Sequence, residues 1–151
     1  MEIARWLHVL AVVVWVGGMF FAYVVLRPTA ATLLEPPQRL PLWQATLKRF
    51  FVWVWIAAGF ILGSGAWMIH RLGGFTSIGV HVHLMLGVGV AMMLIFAHVF
   101  FAPFARLTRG VQMQDWKAAG AALSQIRRLV GLNLLLGLIT ISVATVGRLL
   151  G

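Results

Sequence analysis

Apolar residues fill this chain in four long blocks, and most of the charged residues lie in the gaps between them. The blocks cover about 3–26, 50–70, 79–102 and 129–150. Each supplies the ~20 apolar residues that a helix needs to cross a bilayer core. Each is expected to be helical throughout, because an unpaired backbone amide or carbonyl cannot face lipid. The first block ends at Arg27-Pro28, the second at Gly73-Gly74, and Pro103 closes the third. The gap between the second and third is short, so those spans are predicted to form an antiparallel hairpin. The expected architecture is a single all-α membrane domain, a four-helix bundle running up-down-up-down.

The long linkers, 27–49 and 103–128, are polar and basic. The first carries Glu35-Pro36-Pro37, Pro41 and Lys48-Arg49; the second carries Arg106, Arg109, Lys117, Arg127 and Arg128. From Asp115 to Ser124 the pattern suits a short surface helix or an extension of the fourth span. Nine of the twelve lysines and arginines lie in these two linkers, and only Arg5, Arg71 and Arg148 lie at the opposite end. By the positive-inside rule the basic linkers are expected in the cytoplasm and both termini outside, which for a bacterial inner membrane means the periplasm. The first block is too long for a cleaved leader and has no small-residue cleavage pattern after it, so it is expected to remain as a span.

Composition sharpens this picture. The chain is 62% hydrophobic and 10% charged, outside the range of soluble domains. Its net charge of +9 sits at span boundaries, a placement that fits membrane topology and not a nucleic-acid groove. There is no cysteine, which removes disulfides, thiolate metal sites and thioether-linked haem. Glu2, Glu35 and Asp115 are the only acids, and none lies within a span. No carboxylate pair or serine–histidine–acid set is therefore available for hydrolysis. No motif marks the chain as an enzyme.

Five histidines remain. Folding the spans up and down places His8, His70, His81 and His83 toward one end and leaves His98 near the other. An ionisable side chain inside a span is costly and is a functional candidate for that reason. Plainer readings compete. His8 can be a helix-packing hydrogen-bond partner, His70 an interfacial residue beside Arg71, and His98 a partner of Asn133 at similar depth. His81 and His83 point to different faces, so one of them at most is expected to share a face with His8.

Glycines thin all four spans, which suits close helix packing and collectively leaves room for a flat cofactor. The tryptophans fit an interfacial belt, except Trp15, which sits deep enough to line the core. Two cofactors suit the histidines. Haem b takes one imidazole from each of two helices, here His8 with His81 or His83, with Arg5 and Arg71 near enough to meet propionates. Copper takes imidazole and thioether, here His8, His70, His81 and His83 with Met68 and Met85. A third alternative is a cofactor-free accessory subunit. Small residues on exposed faces also allow a homodimer.

The first span reads Trp6-Leu7-His8, then Trp15-Val16-Gly17-Gly18. This resembles the opening of the CopD family of copper-resistance membrane proteins. The layout is also similar to the related HemJ-type protoporphyrinogen oxidases, whose third span opens with a His-x-Lys pair; the counterpart here is His81-Val82-His83. The resemblance implies either copper movement across the inner membrane or haem b binding through His8 and the third-span histidines. His83 stands where the oxidase family has lysine, and Leu26-Arg27-Pro28 replaces its Tyr-Leu-Pro-Arg stretch, so oxidase activity is not expected. The preferred expectation is a haem b protein that transfers electrons to or from a quinone or a periplasmic redox protein, with copper binding or transport as the alternative.

Overall fold

The computed structural model describes residues 1–146; Arg148, expected at the histidine-bearing end, lies outside the described residues. The elements in chain order are α1 (Glu2–Phe20), a π-helical turn (Phe21–Leu26), α2 (Arg27–Leu33), α3 (Pro36–Arg71), α4 (Val80–Phe101), α5 (Pro103–Gln112) and α6 (Trp116–Val146). Four of the described stretches are long and apolar enough to cross a membrane: Glu2–Leu33, Pro36–Arg71, Val80–Gln112 and Trp116–Val146. The chain is an all-α, multi-pass membrane protein. Its two ends are called here the histidine end, with His8 and His81, and the basic end, with the long linkers.

The helices run well past the apolar blocks. α3 has 36 residues, about 54 Å at 1.5 Å per residue, against a hydrocarbon core of about 30 Å. The linkers of the sequence pattern are thus mostly helix. Only Leu34 and Glu35 interrupt the first, and a turn at 113–115 interrupts the second. Residues 116–124 are the first turns of α6. The basic end is therefore a helical extension of the bundle.

Helix ends and irregularities have local causes. Pro28 has no N–H to offer the carbonyl one turn back, and its ring crowds that carbonyl; the widened π turn just before it relieves the clash. α3 stops in a Schellman motif: Gly74 N–H bonds Ile69 O, Gly73 N–H bonds His70 O, and Gly73 takes φ +97°. α5 stops in the same way, with Asp115 N–H on Gly110 O and Gln114 N–H on Val111 O. Here Gln114 occupies the left-handed position at φ 54°. Asp115 then caps α6, its Oδ1 accepting from Ala118 N–H at 3.0 Å. Two helices meet with no spare residue between stop and start.

α1 packs chiefly on α3, and α4 chiefly on α6, which also touches α1 and α3. α6 comes close through glycine. A Cβ at Gly131 would meet the Tyr23 ring at 2.8 Å, and one at Gly137 would meet Val16 at 3.0 Å and Met92 at 3.3 Å. Between α3 and α4 the space is filled by rings. Phe96 stands edge-on to Phe51 at 5.3 Å and to Trp55 at 4.9 Å, and Phe104 edge-on to Phe51 at 5.0 Å. Trp15 joins this core, buried and edge-on to Phe96.

All of this packing lies toward the basic end. α1 has no buried residue before Ala11, α4 none before Met92, and described α6 none after Gly137. Among the described residues of the histidine end, only α3 keeps buried positions, Ser64 and Ile69. The first three turns of α4 therefore bury no residue fully, and only Val88 there packs against the core cluster.

Candidate functional site

Among the described residues the histidine end holds one polar side-chain contact between spans. His8 Nδ1 lies 2.9 Å from Ser64 Oγ, linking α1 to α3. The direction of that bond follows from the serine. Its single hydroxyl proton goes to the Phe60 carbonyl one turn back, so Oγ is left to accept. In the tautomer that suits this arrangement, His8 Nδ1 carries the hydrogen and Nε2 keeps a lone pair. A metal-ligating histidine is held in the same way, by a partner on the other ring nitrogen that fixes tautomer and ring orientation.

The local sequence allows the approach. Gly63-Ser64-Gly65 is a run of small residues, and a Cβ at Gly65 would meet His8 Cε1 at 3.7 Å, ordinary contact distance. The ring thus rests on a flat stretch of α3. Met68 lies one turn beyond Ser64 on the same face, half-buried.

The other histidines take separate positions. His83 is exposed and its Nδ1 donates back to Gly79 O at 3.2 Å. His81 is half-buried, its ring folded over Gly79, where an added Cβ would lie 2.8 Å from Cε1. Met85, one turn after His81, is half-buried as well. His70 is exposed in the last turn of α3. Arg5 faces solvent and pairs with Glu2 at 3.6 Å, and the Arg71 guanidinium stands 5.9 Å from the centre of the Trp67 ring. Among the described residues no three of His, Cys, Asp and Glu come together as a metal-holding group. His8 and His81 sit on helices joined chiefly through α6, so the contact that is made is His8 with Ser64 and Gly65.

Two expectations need correction or addition. His98 does not bond Asn133: it is exposed on α4, while Asn133 Nδ2 donates to the Met92 carbonyl at 3.2 Å. Asn133 sits on the α6 face that meets Met92, one turn before Gly137, so that carbonyl and not the imidazole is in reach. Its Oδ1 is buried with no partner. Ser64 was not singled out from the sequence. The only signal was a serine between two glycines in a span, a pattern that more often serves helix packing.

The model of the family described as Copper resistance protein D, CopD, matches residues 44–146. No curated protein matches the chain. No solved structure matches it either. The matched stretch holds Ser64, His70, His81, His83 and Met85, and begins after the Trp6 to Gly18 segment of α1 that carried the resemblance. It takes in most of α3 and all of the described α4, α5 and α6. This four-span membrane protein belongs to the CopD, copper resistance protein D, family.

Proposed function

We propose that this chain handles copper at the histidine end of its bundle, with His8 Nε2 as the principal ligand atom. The observation that carries the reading is the His8–Ser64 bond, which fixes the ring through Nδ1 and leaves Nε2 to bind a metal. Imidazole and thioether suit copper, and Met68 lies one turn further along the α3 face that His8 contacts. His81 with Met85 on α4 supplies a second imidazole–thioether pair at i and i+4, and His83 and His70 stand at the rim. The sparse packing of the first turns of α4 supports closure of that helix onto a metal held at His8. The positive-inside rule puts the basic end in the cytoplasm of a bacterium, so the site faces the periplasm of the inner membrane. The role is binding or passage of copper in copper resistance.

A second reading has its own support. The histidine end is loosely packed, and an unligated His8 Nε2 equally suits haem iron. Haem b would be held by His8 with His81 or His83, its propionates met by Arg5 and Arg71. When bound, it would supply one-electron transfer to a quinone or a periplasmic redox protein.

One experiment separates the readings. The protein is purified in detergent from cells supplied with haem and with copper; its visible spectrum and metal content are then measured, wild type beside His8→Ala. Copper near one per chain, with a flat visible spectrum and loss in His8→Ala, supports the copper reading. A Soret band with sharp reduced α and β bands would replace it with haem. A colourless, metal-free protein would sink both and leave the accessory role.

A further inference from the structure

We propose that the groove between α5 and α6 at the basic end is a binding site for a phosphate-bearing anion. The groove has a volume of about 700 Å³. Arg106 and Arg109, at i and i+3, stand on one face of α5 and form one wall. Gly110, Ala118 and Ala122 form much of the floor. At this floor α5 and α6 touch: a Cβ at Gly110 would lie 2.9 Å from the Ala119 backbone nitrogen. Alanines on α6 leave the space above that contact unfilled.

Among the described residues neither arginine of this groove is in an ion pair. Arg106 Nη2 donates to Gln125 Oε1 across the groove at 2.6 Å, which holds the guanidinium in place and leaves most of its N–H groups available. Among the described residues the only ion pair is Arg5 with Glu2, at the far end of the molecule. Asp115 borders the groove, but its carboxylate caps α6 through Ala118 N–H. Two guanidinium forks beside one cavity match phosphate oxygens, which they bind through paired N–H bonds.

Depth points the same way. Arg106 and Arg109 follow Pro103, where the apolar run ends, by about 4.5 and 9 Å at 1.5 Å per residue. The headgroup layer is about 5–8 Å thick on each side of the core. The guanidinia thus lie at or just beyond lipid phosphate level, where basic pockets between helices meet acidic headgroups. A soluble phosphate compound could reach the same groove from the aqueous side.

The test is native mass spectrometry of the full detergent-purified chain, titrated separately with phosphatidylglycerol, phosphatidylcholine and inorganic pyrophosphate. Wild type is compared with the double variant Arg106→Gln/Arg109→Gln, with Ala121→Phe, which fills the groove without changing charge, and with Arg127→Gln/Arg128→Gln, which removes equal charge from the same end outside it. Melting in detergent confirms that each variant is folded. The expected result is preferential binding of phosphatidylglycerol over phosphatidylcholine. It should weaken about tenfold or more in the first two variants and hold in the third. The same pattern for pyrophosphate, with no preference between the lipids, would also support the site and name its ligand as soluble. Equal loss in the third variant would overturn the proposal in favour of diffuse charge. So would retention in Ala121→Phe, or no preference for either anion.

Discussion

At the basic end, Phe51, Phe96 and Phe104 meet edge to face at about 5 Å, and Leu107, Val54 and Ala119 have no exposed surface. At the histidine end, α4 passes His81, His83 and Met85 before it buries a single residue at Met92. Both ends are rich in apolar and small side chains, so hydrophobicity does not distinguish them. In lipid there is little solvent force to press helices together, and association rests on shape. Rings that interlock and glycines that receive a neighbour close one end. At the other, glycines such as Gly63, Gly87 and Gly89 have nothing within 4 Å of an added Cβ. Rigidity and the candidate chemistry thus occupy opposite ends, the less packed end being the one that can rearrange around a ligand.

The contrast between the two ends rests most heavily on the rings. Phe51→Ala should lower stability by roughly 2–4 kcal/mol, because its neighbours on α4 and α5 cannot close the hole. Leu84→Ala, at a position 54% exposed, should change it by under about 0.5 kcal/mol. Equal losses in detergent melting would show that the histidine end is as tightly built as the core. Glycine gives the next contrast. Gly137→Leu must displace Val16 and Met92 and should cost about 1–3 kcal/mol, whereas Gly87→Leu meets open space and should be neutral or slightly stabilising.

At the histidine end the expected effects fall on binding and not on stability. Ser64→Ala removes the acceptor that orients His8, and copper affinity measured with a competing chelator should fall about 10–100-fold. Melting of the apo-protein should move little, since the packed core lies elsewhere. An unchanged affinity would remove Ser64 from the site. The smallest effect is expected at Gln114→Gly. Gln114 holds φ 54° at the end of α5, and glycine there should stabilise by up to about 1 kcal/mol. A loss instead would mean that the glutamine side chain helps to fix the α5–α6 turn.

That lipid is the solvent, that there are four spans, and which residues share an end were all legible in the chain. Apolar length and the placement of charge are sufficient for that, because the bilayer forces helix and span length through backbone hydrogen bonding. The chain also marked His8, since an imidazole inside a span is rarely idle. Helix rotation was not legible. Periodicity is weak when lipid and core are both apolar, so nothing in the chain showed that His98 faces outward or that Asn133 reaches the Met92 carbonyl. The linkers read as loops because polar residues and prolines interrupt the apolar pattern, yet α2 and α3 carry helix through most of the first, and α5 and α6, packed on each other, through most of the second. Only the tertiary structure put Ser64 opposite His8. A serine in a span ordinarily bonds its own backbone, as Ser64 also does at Phe60. Its spare lone pair gained a partner when α1 came to rest on α3.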